Sequence, residues 1–218
     1  MLIHRWDGAL DEEEWRSFVV AQGFGHLIAA GKDRDFPTVV PTQFALTVGE
    51  ERQDIILLHL ARPNPLWEAI AENPRVVMSV AGDWAFIPAS WKVIGDEDPA
   101  FGIPTTYYAA VQLCGTVEVL DDPVEIAAVL RRQLGALPID EGQVDPSEHG
   151  AKLRTIRGIR IAVTEVRAKF KYGGNVDAAH RLAVAERLSA RDGSGDRAAV
   201  RHLTRRLRAK SPEGPSSS

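Results

Sequence analysis

Cysteine is almost missing from this chain of 218 residues: Cys114 stands alone, so no intramolecular disulfide can form and a zinc cluster lacks its thiolates. In an apolar run with Val111 and Leu113, it reads as a small core residue rather than a redox centre. There is no run of about 18 apolar residues, the minimum for a membrane-crossing helix. The first fourteen residues hold Asp7, Asp11, Glu12, Glu13 and Glu14 where a secretory signal would need an apolar core, which points to a cytoplasmic protein. An excess of positive charge is also lacking: 26 Lys and Arg stand against 30 Asp and Glu, and a net charge of -4 gives no overall attraction to polyanions.

Several familiar sites are missing too. No Gly-x-Gly-x-x-Gly follows a strand and no Walker loop is present; Gly23-Phe24-Gly25 is too short to count. The histidines (His4, His26, His59, His149, His180, His202) are scattered, with no pair at metal-ligand spacing, so no metal site is expected. Ser90 lacks the Gly-x-Ser-x-Gly setting of a hydrolase nucleophile.

What is present is a globular composition, 44% hydrophobic and 26% charged, on a chain long enough to bury a core unaided. Asp11, followed three residues later by Glu14, starts a helix with Trp15, Phe18 and Val19 at helical spacing. Short strands are expected at residues 26–30, 38–48, 55–60, 76–80, 83–87, 107–120 and 159–166. Helices are expected after Asn64-Pro65 and after Asp121-Asp122-Pro123. In the long run to Leu120, Tyr108, Ala110, Gln112 and Cys114 share one face, and Val111 and Leu113 the other. Two C-terminal helices, about 176–190 and 196–210, flank a flexible segment from Arg191 to Gly195. Residues 211–218, rich in Pro, Gly and Ser, are expected to be disordered. Many short strands with few long helices between them favour a mainly β protein with helices, its antiparallel sheet curled into a barrel. The expected division is a barrel domain over 1–175, a helical extension over 176–210 and the tail.

Three segments could carry chemistry. The first, His59 to Trp67, sets a strand end, the Arg62 guanidinium and a helix start at Asn64 within a few residues, a combination suited to a phosphate. Equally, Asn64 could cap its helix, with Arg62 solvated and His59 in the core. The second is aromatic: Trp84, Phe86, Trp91, Tyr107 and Tyr108 can flank a planar ring, or pack as core or dimer interface. The third is the arginine-rich end, with Arg197, Arg201, Arg205, Arg206, Arg208 and Lys210. With Val200, Leu203 and Leu207 on one face, the arginines form a solvated face more readily than a DNA-reading one. No residue declares itself a general acid or base, although Tyr108 could donate a proton.

Taken together, four blocks resemble one family. His59-Leu60-Ala61-Arg62-Pro63-Asn64-Pro65-Leu66-Trp67 resembles a His-x-Ala-x-x-Asn-Pro-x-Trp block, and Phe86-Ile87-Pro88-Ala89-Ser90-Trp91 a (Tyr/Phe)-Ile-x-x-Ser-Trp block. Ile103-Pro104-Thr105-Thr106-Tyr107-Tyr108-Ala109-Ala110-Val111 with Gly115 resembles Val-Pro-Thr-Trp-x-Tyr-x-x-Val, and Lys169, Lys171 and Asn175 match Lys-x-Lys-x-x-x-Asn. This is the pattern of the PaiB-type FMN-binding proteins, related to pyridoxamine-phosphate oxidases and often labelled negative transcriptional regulators.

The resemblance implies an FMN-binding split β-barrel, a homodimer with the flavin near the subunit interface, and a small-molecule ligand. By position it assigns phosphate or ribityl contacts to His59, Arg62 and Asn64 beside Trp67, and the flavin side of the pocket to Ser90, Trp91, Thr105 and Tyr108. It assigns further phosphate contacts to Lys169 and Lys171, and early-strand contacts to Thr38, Val39 and Thr42. The chain departs from the pattern at Thr106, in place of Trp, at Gln112, in place of His, and at Tyr172-Gly173-Gly174, in place of Leu-Ser-Gln. The function implied is a flavin-dependent oxidoreductase using NAD(P)H or a related donor, or a flavin-responsive regulator. The alternatives are a non-catalytic regulator binding DNA through the last helix, and a barrel holding haem or another flat ligand on His59 or His26.

Overall fold

The computed structural model describes residues 1–93, 98–135 and 144–209. The tail at 211–218 lies outside the described residues, as does Lys210. In chain order the elements are α1 (Glu12–Gln22), β1 (Phe24–Ala29), β2 (Thr38–Gln43), β3 (Ala45–Val48), β4 (Asp54–Ala61), α2 (Leu66–Glu72), β5 (Arg75–Ile87), β6 (Thr105–Leu120), α3 (Pro123–Leu134), β7 (Ile156–Lys171), α4 (Ala178–Arg191) and α5 (Asp196–Ala209). Among the described residues no helix is long and apolar enough to cross a membrane.

The seven strands pair in the order β2-β1-β5-β6-β7-β4-β3. Antiparallel registers include Gly25 opposite Thr42 in β1 and β2, and Leu58 opposite Ile159 in β4 and β7. The sheet is open, yet its two edge strands are consecutive in sequence. Phe44 alone separates Gln43, the end of β2, from Ala45, the start of β3. Two residue steps reach about 7 Å at most, so the sheet must curl until its edges almost meet. Phe44 is 3% exposed and its N–H donates to Gly23 O at 3.1 Å, fixing the crossing point. This is the split barrel that the strand pattern predicts.

Contacts divide the chain into two compact units. The second unit (Arg16–Val80, Val111–Arg167) holds β1 to β4, α2, α3 and the adjoining parts of the three long strands. Its buried side chains include Leu27, Ile56, Leu58, Met78, Leu113 and Ile161. Asp122 caps α3 by accepting from the N–H groups of Val124 (2.8 Å) and Glu125 (3.3 Å), with Pro123 in the first turn.

The first unit (Met1–Trp15, Ala81–Ala110, Ala168–Ser218) combines the N-terminal segment, the other ends of β5, β6 and β7, and α4 and α5. Ile87, Tyr107, Phe170, Tyr172, Leu188 and Leu203 are buried in it. Asp11 caps α1 as its spacing predicts, accepting the Glu14 N–H at 2.7 Å. Glu14 in turn accepts the Leu10 N–H at 2.7 Å and, at 3.3 Å, Arg206 Nη2 of α5.

Four expectations need correction. Residues 75–87 form one strand rather than two, because Asp83 takes a left-handed turn (φ 51°) without ending it; Tyr172 Oη donates to its carbonyl at 2.7 Å and His202 Nε2 meets its carboxylate at 2.8 Å. Cys114 is half-buried, because the β6 alternation gives the buried face to Leu113 and Gly115. The segment from Arg191 to Gly195 is a bonded turn, not a flexible one: Arg191 pairs with Asp196 at 2.6 Å and the Gly193 N–H donates to the same carboxylate. The arginines of α5 are not one solvated face, since Arg206 is 4% exposed.

The Arg206–Glu14 pair is buried at both ends, and burial pulls the Arg206 pKa down against the opposing pull of Glu14 and Asp7. Losing one partner strands a charge out of water. Arg206→Met should therefore cost about 3–5 kcal/mol of stability, read from urea denaturation midpoints at constant slope.

Candidate functional site

In the second unit, the block from His59 to Trp67 folds into a strand end, a turn and α2. His59 Nδ1 lies 2.7 Å from Gln133 Oε1, while Gln133 Nε2 donates to Gln43 O at 2.9 Å. That pattern orients the glutamine amide and places the imidazole proton on Nδ1. Arg62 Nε donates to Arg154 O at 2.6 Å, and Nη1 pairs with Asp121 at 3.0 Å. Asp121 also takes both arms of Arg157, the main cause that holds its carboxyl below the usual range. Arg157 lies over the Trp67 ring at 5.1 Å, and Trp67 Nε1 donates to Ala61 O at 2.9 Å. Asn64 Oδ1 accepts the Leu66 N–H at 2.9 Å, so it caps α2. The polar groups of this block thus already have partners in the chain.

The other candidates of this unit lie on or beside β2. Thr42 is buried, with Oγ1 donating to Gln43 O at 3.1 Å; Thr38 is half-buried and Val39 exposed. His26 is exposed on β1, opposite Pro41. A groove of about 670 Å³ runs past Val20, Phe24, Phe44, Leu46 and Arg132, also bordered by Arg131, whose charge is taken by Asp145 at 2.6 Å.

The first unit gathers the remaining candidates. Lys171 Nζ donates to Thr105 Oγ1 at 2.7 Å. The ammonium groups of Lys169 and Lys171 stand 5.6 and 6.0 Å from the Tyr108 ring centre, and Lys169 Nζ also donates to Leu2 O at 2.9 Å. Thr105, Tyr108, Lys169 and Lys171 therefore lie together in this unit. Ser90 is exposed in the single turn Ala89–Trp91, its carbonyl accepting from Arg187 at 3.4 Å; Trp91 lies 5.0 Å from the Arg191 guanidinium.

Beside this group opens a cleft of about 580 Å³, inside the roughly 300–1,000 Å³ range of small-molecule sites. Lys92, Lys171, Thr105 and Asn175 line it with Trp6 and Phe101. His4 and Trp6, both at the cleft, stack at 4.8 Å and 12°. Tyr107 forms part of the wall; it is 1% exposed, and burial holds its hydroxyl proton on, with a pKa pushed up to about 12. Sequence spacing gave no signal for His4, Trp6 or Lys92 as site residues, since more than 160 positions separate the N-terminal pair from Lys171, whereas Tyr107 stood among the aromatics able to flank a planar ring.

The two glycines after Tyr172 have a physical reason here. A Cβ at Gly173, which has φ 66°, would lie 2.5 Å from Tyr107 Oη, and one at Gly174 would lie 1.9 Å from Trp6 O. Any side chain would push the N-terminal segment off the cleft wall. Tyr172 itself is buried and stacks on His202 at 4.5 Å.

Charge around the cleft is mutually sensed. The Lys92 pKa is lowered by burial first and then by the Lys171 charge. His180, with Nε2 buried and unpartnered among the described residues, is held below the ordinary imidazole value by burial, then by Lys92, with Arg187 acting the same way and Asp177 opposing. A base depressed in the folded state contributes no penalty above its unfolded value of 6.5, and stability falls as pH drops below that toward the folded value. Denaturation midpoints of the wild type should fall between pH 7.5 and 5.5, and His180→Gln should lessen that fall.

Residues 3–165 match the family described as "Putative FMN-binding domain". The chain is 25% identical over 196 residues to "Protease synthase and sporulation protein PAI 2" of Bacillus subtilis (strain 168), covering 86% of this chain and 89% of that one. Among solved structures, the fold is similar to that of the flavocytochrome Anf3 of Azotobacter vinelandii, with TM-score 0.55, 16% identity, and 78% and 73% of the two chains covered. It is also similar to that of an FAD and heme binding protein of Mycobacterium smegmatis, with TM-score 0.53, 18% identity, and 81% and 79% covered.

Proposed function

Because this chain belongs to the family of FMN-binding domains, with FMN as its cofactor, we propose that it is a homodimeric flavoprotein that uses FMN for redox chemistry and takes it up in the cleft of the first unit. The observation that carries the placement is the donor set of that cleft. Lys92 and Lys171 supply charge for a phosphate, the His4–Trp6 stack offers a flat face to a ring system, and the buried Tyr107 hydroxyl has no partner among the described residues. In the second unit, by contrast, Arg62 Nε and Nη1, Asn64 Oδ1 and Trp67 Nε1 are engaged by Arg154, Asp121, Leu66 and Ala61. There the family block reads as the support of a strand end.

When bound, FMN supplies hydride and single-electron transfer; the chain supplies place and field. Thr105 Oγ1 holds the Lys171 ammonium in position, so its charge can meet an anion at little cost in side-chain entropy. Tyr107, kept neutral, can only donate to an anionic oxygen near neutral pH. Gly173 and Gly174 let the N-terminal segment close one side of the cleft and exclude water.

The redox reading is preferred to DNA reading because three of the α5 arginines, Arg197, Arg205 and Arg206, are engaged within the chain. Arg205 pairs with Asp11 at 2.8 Å, Arg197 with Asp192 at 2.7 Å, and Arg206 is buried against Glu14. A cation already paired in this way has little left for a phosphodiester backbone.

The test is the visible spectrum of the isolated protein, followed by titration of stripped protein with FMN. Oxidised-flavin bands or saturable uptake are expected, and turnover with a nicotinamide donor should follow. Lys171→Met should weaken FMN by about 1.5–3 kcal/mol, roughly ten- to a hundredfold. A protein that ignores FMN would defeat the proposal; unchanged affinity in the variant would move the flavin out of this cleft.

A further inference from the structure

The first unit buries more hydrogen-bonding capacity than its own chain satisfies. Tyr107 Oη, His180 Nε2, and both Nε and Nη1 of Arg181 are buried without a partner among the described residues. Arg181 is 2% exposed, and its charge acts directly on the Tyr107 hydroxyl. Leaving a buried donor unmet costs about 1–3 kcal/mol each, and more for a charged group, so such a cluster calls for an acceptor from outside the chain.

These four atoms are donors or can be, since His180 can present Nε2–H; the unit's other unmet atoms, Glu14 Oε1 and Arg206 Nε, belong to the buried Glu14–Arg206 pair. The cleft wall beside them adds two ammonium groups. Lys171 is anchored on Thr105, and Lys92 lies 6.0 Å from the Tyr107 ring centre. Asp7 is the one carboxylate among the described lining residues; its charge acts on the Tyr107 hydroxyl against the larger effect of Arg181, and it also faces the buried Arg206. A cation or a neutral apolar group would leave the Tyr107 hydroxyl unmet and the ammonium charges unpaired. An oxyanion at the cleft would accept from the Tyr107 hydroxyl and pair with the two ammonium groups.

We infer that the Tyr107 end of this cleft is an anion subsite for a phosphate or carboxylate group, with the Tyr107 hydroxyl donating, Lys92 and Lys171 pairing at the rim, and the Arg181 charge behind. The inference rests on the cleft proposed above for FMN, and the oxyanion can come from two sources: the phosphate of the flavin itself or an acidic substrate. Arg181 is a positioning residue here, acting through the field it sets at Tyr107. Neither Tyr107, Lys92 nor Arg181 belongs to the residues that the family pattern points to.

The experiment uses the full chain stripped of flavin, with Tyr107→Phe and Lys92→Met, the first of which keeps the buried ring. Dissociation constants for FMN and for riboflavin, which lacks the phosphate, are read from flavin fluorescence, and inorganic phosphate is added as a probe. If the subsite holds the flavin phosphate, each variant should weaken FMN about tenfold and leave riboflavin unchanged. If it holds a substrate anion, both flavins should bind the variants as they bind wild type. Inorganic phosphate should then shift the bound-flavin spectrum of wild type and not of the variants. Should the chain bind no flavin at all, the FMN reading fails by itself. The subsite is still tested, because phosphate should raise the thermal midpoint of wild type and not of either variant. No difference between wild type and variants with FMN, riboflavin or phosphate would overturn the inference.

Discussion

One residue governs the barrel. Phe44 joins strands that stand at opposite edges of a seven-stranded sheet, so the sheet cannot lie flat whatever the other residues prefer. The right-handed twist of strands supplies the direction of the curl, and burial of the Phe44 ring with its backbone bond to Gly23 holds the junction closed. The alternation of β6 and the buried runs of β4 and β5 then face the inside of a curled sheet, and Gln133 on α3 reaches both His59 and Gln43. The His59 block, so prominent as a motif, is thereby tied to the strand that ends at the junction.

The first unit depends on electrostatics of another kind. Its N-terminal segment is held by charged groups that reach it from late in the chain: Lys169 to the Leu2 carbonyl, Arg206 to the Gly8 carbonyl and Glu14, and Arg205 to Asp11. With that segment in place, His4 and Trp6 become part of the cleft and Gly174 becomes obligatory. Fold and site share these contacts. Two arginines of the last helix, Arg205 and Arg206, seat the N-terminal segment.

The same logic bears on the family block around Arg62. A guanidinium beside a helix start suits a phosphate, and here Asp121 and the Arg154 carbonyl, both from far along the chain, meet the Nη1 and Nε of Arg62. No local pattern announces those contacts. Conversely, Tyr107 alternates into the interior as any core tyrosine would, and its unmet hydroxyl shows only once its surroundings are known.

The strand periodicity, the caps at Asp11, Asn64 and Asp122, and the ordered set of four blocks determined by themselves that this is an antiparallel split barrel of an FMN-binding family. Those features are local, and a short-range hydrogen bond or an alternating face acts within a few residues wherever the segment ends up. Tertiary structure alone decided that residues 75–87 are one strand bent at Asp83, that the turn at 191–195 is bonded, that Arg206 is buried, and that His4, Trp6, Lys92 and Tyr107 meet Lys171 at one cleft. Each of these turns on partners distant in sequence, and the free energy of a buried charge or an unmet donor depends on what surrounds it, which no window along the chain contains.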